Sequence, residues 1–137
     1  MKLERDNNTA LIDWEEYTLG IYDCLKRITL VDVVFAPSRG GLIPGVLASH
    51  YFKCPLSEIT FRQRINLWMP QGKTVLLIDD VSDSGGTLIK CLKPLENNYE
   101  KVITCTIAIK LDTKKLPDIH YFEVEPQYWV KFPYEQD

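Results

Sequence analysis

The 137-residue chain lacks any broad excess of positive charge: sixteen Lys and Arg stand against nineteen Asp and Glu, a formal charge of -3 at pH 7. That balance makes nucleic acid an unlikely general partner, although a local basic pocket can still take a polyanion, because net charge constrains only the average field. Long hydrophobic runs are also missing. No stretch approaches the roughly 20 apolar residues of a membrane span, so no membrane partner is expected. The opening MKLERDNNTALIDWEEY carries charges where a secretory leader needs its apolar core, and the expected location is cytoplasmic. Cysteines are few and scattered. Cys24, Cys54, Cys91 and Cys105 form neither a CxxC pair nor a zinc-ligand pattern, and they read as reduced, mostly buried thiols. Repeats, low-complexity tracts and Gly/Ser linkers are absent, which leaves one domain over residues 1–137 as the expectation.

What is present is an ordinary globular composition, 45% hydrophobic and 26% charged, enough to fold around a core. Apolar side chains at Leu11, Trp14, Leu19, Ile21, Tyr22, Leu25 and Ile28 recur mostly at three- and four-residue intervals, which predicts one or two helices over residues 9–28. Residues 31–36, VDVVFA, form a β-branched run typical of a buried strand. A turn at residues 37–41 and a helix from 42 to 52 follow it. Residues 55–61 offer a weaker strand, and 62–72 a polar and aromatic connection. KTVLLIDD, residues 73–80, is the strongest strand signal, followed by a loop and a helix over about 88–96 that Pro94 interrupts locally. Residues 102–109 and 121–124 supply two more strands. Strands alternating with helices predict an α/β fold with a mostly parallel sheet covered on both faces, whose functional loops gather at the carboxyl ends of the strands.

Both glycine-bearing loops fall at such ends. Asp79 and Asp80 close a hydrophobic strand, and successive residues of a strand point to opposite faces. One or both can face a magnesium-bound substrate, whose phosphates or hydroxyls complete the shell of a hard cation; capping a turn or helix is the simpler alternative. Ser84, Gly85, Gly86 and Thr87 stand where a helix begins, with glycines that allow close approach, open amides and two hydroxyls, a cradle for a phosphate monoester. No lysine follows the second glycine, so this is not a Walker A loop, and GxGxxG is absent too. Asp83, between the acids and the cradle, is the candidate for general acid/base or electrostatic work, or the cap of the next helix. Ser38, Arg39, Gly40 and Gly41 make a second anion site, or a plain tight turn. Two such loops at neighbouring strand ends suit a ligand with two separated phosphate groups.

The quoted stretches resemble a known family. VLLIDDVSDSGGTL, residues 75–88, is similar to the ribose-phosphate signature of type I phosphoribosyltransferases, with Ser84 where threonine is usual. SRGGLIPG, residues 38–45, resembles the pyrophosphate loop of the purine branch, above all that of bacterial xanthine-guanine phosphoribosyltransferases. The resemblance implies a cis peptide at Arg39-Gly40. Lys110 follows its strand as does the family lysine that donates to a purine six-oxo group, and Trp129 and Val130 match the segment whose aromatic ring stacks on the base. The tail Trp129-Val130-Lys131-Phe132-Pro133-Tyr134-Glu135 is similar to the family's ending. The plainer alternatives are that Lys110 is a solvated residue after its strand and that Trp129 is core or interface filler.

This resemblance, running over about residues 31–135, implies the type I phosphoribosyltransferase fold: a mostly parallel sheet flanked by helices, with a small hood drawn from parts of 55–72 and from 118–137. The implied reaction joins N9 of a 6-oxopurine (guanine, xanthine or hypoxanthine) to the ribosyl carbon of 5-phosphoribosyl diphosphate and releases pyrophosphate. Asp80, with Asp79, holds the ribose hydroxyls and the Mg2+ complex; Asp83 assists at purine N7; Ser84, Gly85, Gly86 and Thr87 hold the 5′-phosphate. Ser38, Arg39 and Gly40 hold pyrophosphate, joined on hood closure by Arg62 or, as the preferred candidate, Arg64. Lys110, Trp129 and Val130 form the purine site. A homodimer or homotetramer is implied. The rivals are a phosphoribosyltransferase for another base and a noncatalytic nucleotide- or RNA-binding regulator on the same fold.

Overall fold

The structure, a computed structural model, describes residues 1–60 and 73–135. In chain order its elements are β1 (Lys2–Glu4), β2 (Thr9–Leu11), α1 (Trp14–Lys26), β3 (Val33–Pro37), α2 (Leu42–Phe52), β4 (Leu56–Ile59), β5 (Thr74–Ser82), α3 (Gly86–Asn98), β6 (Lys101–Lys110), β7 (Phe122–Val124) and β8 (Trp129–Lys131), and a single 3-10 turn, Pro133–Glu135, follows β8. Strands β4-β3-β5-β6-β7 form a five-stranded sheet in that order, parallel at every junction. The expected α/β architecture is therefore present.

Strand periodicity explains how both faces are covered. Val34, Ala36, Leu76, Ile78, Cys105 and Ile107 point to one face and pack with Tyr17, Ile21, Cys24 and Leu25 of α1 and Ala48 of α2. Their alternates Val33, Phe35, Val75 and Leu77 point to the other and pack with Leu88, Cys91 and Leu95 of α3 and with Tyr99. Because both sides are apolar, the central strands read as continuous hydrophobic runs.

The sheet order also fixes where a ligand can sit. From β3 the chain crosses through α2 to β4 on one side, whereas from β5 it crosses through α3 to β6 on the other. Successive connections thus leave in opposite directions at the carboxyl ends of β3 and β5, opening the crevice in which doubly wound folds bind ligands. The loop after β3 carries Ser38–Gly41 and the loop after β5 carries Asp83–Gly85.

The apolar spacing predicted helix over residues 9–28, but the helix covers only Trp14–Lys26. Thr9–Leu11 is the middle strand of a second, three-stranded sheet, antiparallel to β1 and parallel to β8. Helix α1 starts only after Asp13, whose carboxylate accepts from the Glu16 amide at 2.8 Å while the Glu16 side chain reaches back to the Asp13 amide; this reciprocal cap sets the boundary. At the other end of the chain, the Trp129 amide donates to the Asn8 carbonyl at 2.8 Å and the Ile12 amide to Lys131 at 3.1 Å. The C-terminal segment is thereby tied to the N-terminal strands. Helix α3 begins at Gly86, two residues before the expected start, and continues through Pro94 to Asn98. Among the described residues, no helix is long and apolar enough to cross a membrane.

Candidate active site

β5 delivers the acidic pair to the crevice, one carboxylate to each side. Asp79 continues the Val75, Leu77 face toward α3 and is 8% exposed; its Oδ1 accepts the Asp80 amide at 2.9 Å. Burial first, then the neighbouring Asp80 charge, pushes the Asp79 carboxyl up to about 8. Asp80 continues the Leu76, Ile78 face. Its Oδ1 accepts the Val81 amide at 2.7 Å, and its Oδ2 accepts the hydroxyl of Tyr134. Burial, then the Asp80 charge, drives the Tyr134 hydroxyl well above the ordinary tyrosine range, so it remains a donor.

After β5 the chain forms the cradle. Gly85 has φ +91° and lies so close to the next loop that a Cβ there would come within 2.6 Å of the Lys115 amide nitrogen; glycine satisfies both the dihedral and the approach. The cradle is braced from behind by residues 113–115. The Lys114 amide donates to the Ser84 carbonyl at 3.1 Å, and the Ser82 hydroxyl lies 2.9 Å from that of Thr113 and donates to the Lys115 carbonyl at 2.8 Å. Gly85, with no side-chain hydrogen bond, is the N-cap of α3; the Gly86 amide donates to the Ser84 hydroxyl at 3.2 Å, which leaves the amides after it to face an anion. Asp83 is not its cap. Asp79, Asp80, Asp83, Ser84, Gly86 and Thr87 line a cavity of about 200 Å³ here.

The loop after β3 closes on the same carboxylate. The Ser38 amide and hydroxyl both donate to the Ile59 carbonyl, at 2.9 and 3.3 Å, tying the loop to the end of β4. Arg39 is exposed. A Cβ on Gly40 would overlap the Asp80 carboxyl group, so only glycine allows the loop to lie against β5. The cis peptide of this loop is Ser38-Arg39, one bond before the expected Arg39-Gly40.

A second cavity of about 170 Å³ adjoins the first, sharing Asp80, Val81 and Asp83 with it and adding Lys110, Trp129, Val130, Phe132 and Glu135. Lys110 is not a solvated strand end. Its side chain is 8% exposed and its ammonium stands 3.9 Å from the Asp83 carboxylate, so the charge at the end of β6 has its counter-ion across the cavity. Nor is Trp129 core filler, since it is 62% exposed at the cavity rim. Glu135, whose carboxyl burial pushes upward ahead of the Asp80 charge, completes the wall. Its side chain and the Tyr134 hydroxyl are contributions that sequence reasoning missed, because only the tail resemblance pointed there and it assigned neither residue a role. Arg62 and Arg64 lie outside the described residues. A roomier cavity, about 550 Å³, lies at the opposite, amino-terminal edge of the sheet between Arg27, Thr74, Lys101 and Asp118, remote from both glycine loops.

Among the described residues no group of three or more His, Cys, Asp and Glu could hold a metal by itself. Asp80 nonetheless suits a cation that brings most of its oxygen ligands with the substrate, the usual manner of magnesium.

Comparison with known proteins places this geometry. The phosphoribosyl transferase domain family matches residues 10–136. The purine phosphoribosyltransferase of Pyrococcus horikoshii superposes with a TM-score of 0.82 at 26% identity, covering 95% of this chain and 96% of that one. The xanthine-guanine-hypoxanthine phosphoribosyltransferase of Helicobacter pylori superposes with a TM-score of 0.76 at 18% identity over 93% of each chain. An orotate phosphoribosyltransferase from Parvibaculum lavamentivorans is 24% identical over 84 residues, 58% of this chain. The matched stretch spans 43% of that enzyme's length.

Proposed function

The chain belongs to the phosphoribosyltransferase family, with the type I fold of its purine branch, and on that premise we propose that it transfers the 5-phosphoribosyl group of 5-phospho-α-D-ribose 1-diphosphate to N9 of a 6-oxopurine. One observation carries this reading. A glycine cradle at a helix start and a cavity rimmed by an exposed tryptophan share the walls Asp80 and Asp83, so a ribose lying across Asp80 has a phosphate site on one side and a base site on the other. The likeness to purine-acting relatives supports the same reading.

In this reading the reaction needs no protein nucleophile. The residues bind, orient and balance charge as the bond from the ribosyl carbon to pyrophosphate breaks and that to N9 forms. The amides at the start of α3, with Ser84 and Thr87, hold the 5′-phosphate. Asp79 and Asp80 hold the ribose hydroxyls, and the negative field of Asp80 and Asp83 favours the positive charge developing on the ribosyl carbon. Magnesium, held by Asp80 and by substrate oxygens, supplies neutralisation of the diphosphate. Ser38, Arg39 and Gly40 receive the departing pyrophosphate, with Arg64 as a candidate partner. Trp129 stacks on the base beside Val130.

The Asp83–Lys110 pair accounts for the preference for a 6-oxopurine. A lysine donor meets a six-oxo oxygen, while a carboxylate 3.9 Å from its ammonium lies where N7 of the same ring would present its proton. Adenine offers an amino group to that lysine and is disfavoured. The test is pyrophosphate release by purified protein with magnesium and 5-phosphoribosyl diphosphate, comparing guanine, xanthine, hypoxanthine, adenine, orotate and no base. Release driven by an oxopurine, with the matching nucleoside monophosphate formed, is the expected outcome. Release driven only by orotate or adenine would refute the base assignment, and none with any base would refute transferase activity.

A further inference from the structure

Asp80 is held more tightly than an end-of-strand carboxylate needs to be. Its Oδ1 takes the Val81 amide at 2.7 Å, its Oδ2 takes the Tyr134 hydroxyl, and its carboxyl group lies against the α-carbon of Gly40. Tyr134 is itself fixed. Its ring is parallel to that of Phe132, with centroids 5.6 Å apart and 5° between planes, and its centroid is 5.9 Å from that of the fully buried Tyr17. The turn that carries it follows β8, which is hydrogen-bonded to β2. The last bond of an aspartate side chain is a soft torsion with a broad minimum, so a hydroxyl presented from a rigid stack decides which way the carboxylate plane faces. Each oxygen keeps a lone pair for a ligand.

We propose that Tyr134 is a positioning residue for phosphoribosyl transfer, its hydroxyl holding the Asp80 carboxylate in the orientation that receives the ribose hydroxyls. The inference rests on the transferase reading above. It also means that the tail lining the base cavity through Trp129, Val130 and Glu135 sets the geometry of the ribose site.

The test compares wild type with Tyr134→Phe and Tyr134→Trp, each of which keeps an aromatic ring and lacks the hydroxyl, so either one that folds decides the question. Tyr99→Phe is the control. It trims a buried hydroxyl on the opposite face of the sheet that has no hydrogen-bond partner among the described residues. Two quantities are read: KM for 5-phosphoribosyl diphosphate against KM for the purine, and the Kd of magnesium 5-phosphoribosyl diphosphate by calorimetry without base. Loss of one hydrogen bond to a charged group predicts a rise of roughly tenfold in that KM and Kd, with the purine KM unchanged and Tyr99→Phe at wild-type values. Unchanged binding of 5-phosphoribosyl diphosphate in an active, folded variant would overturn the positioning role and leave the transferase reading standing. An equal rise in both KM values would also overturn it, as damage to the tail at large. A wild type that transfers to no base would bring down both.

Discussion

Replacing Asp79 with Asn should make the protein more stable at neutral pH, and by an amount that grows with pH. Asp79 is 8% exposed, with its carboxyl pushed up to about 8 by burial and by Asp80. In the unfolded chain the same group titrates near its ordinary value of 3.8. Between those values the native state holds a proton that the unfolded state has released, so stability falls as pH rises through this window and levels off above it. At pH 7 the difference amounts to on the order of 4 kcal/mol withheld from the native state. Asn returns only part of it, since an amide must also leave water, but its oxygen can still accept the Asp80 amide that Asp79 accepts at 2.9 Å.

The expected gain is about 2 kcal/mol at pH 7, a rise in Tm of about 6 °C for a domain of this size, and it falls by about 3 kcal/mol to a net loss of about 1 kcal/mol near pH 4.5. Thermal or urea unfolding of the two ligand-free proteins at pH 4.5, 6 and 8 measures it. An Asn variant less stable than wild type at pH 8, or a gain equal at all three pH values, would refute the argument.

Asp83→Asn should lower kcat by about 100-fold or more if Asp83 moves a proton at N7, while Tm changes little because that side chain is 59% exposed; steady-state kinetics beside a melting curve separates the two. Lys110→Met should raise the KM for guanine or hypoxanthine by roughly tenfold or more and leave that for 5-phosphoribosyl diphosphate near wild type, since a lost hydrogen bond from a charged donor falls on the base alone. Gly40→Ala places a Cβ inside the Asp80 carboxyl group and should cost about 1–3 kcal/mol in urea unfolding, with transfer falling together with stability.

The fold and the two loops were legible because each rests on local chemistry. Four apolar residues ending in Asp79-Asp80 announce a doubly buried strand that reaches a sheet edge, and glycines at 40, 41, 85 and 86 mark where the backbone turns sharply just after a strand. The small sheet was not legible. Thr9-Ala10-Leu11 is too short to show a period of its own, and its apolar residues happen to continue the helical spacing of α1; pairing with Trp129-Val130-Lys131, more than a hundred positions away, makes it a strand. Asp83 read as the acid/base candidate that could also cap the next helix; the cap of α3 is Gly85 instead, and Lys110 stands 3.9 Å from the Asp83 carboxylate. Burial of Lys110 and exposure of Trp129 invert what their types would suggest, and both depend on the end of β6 and the start of β8 lining one cavity.

These inversions have a common cause in the topology. At the point where connections leave a parallel sheet in opposite directions, strand ends and helix starts converge with no side chains to fill the gap between them. The residues there are chosen for what enters, and the protein alone bears the cost in Asp79 kept from water, Trp129 kept in it, and Gly40 and Gly85 giving up side chains. A ligand with phosphate, hydroxyls and an aromatic ring in that order relieves each of these at once. It brings a cation to the carboxylates, a flat face to the tryptophan and an anion to the open amides of α3, so its binding should stabilise the fold well beyond what any one contact provides. If so, magnesium with the nucleoside monophosphate should raise Tm more than the sum of the rises given by magnesium with ribose 5-phosphate and by the free base, each at the same concentration. A simple sum, or less, would show that the two cavities bind independently and that Asp80 does not join them.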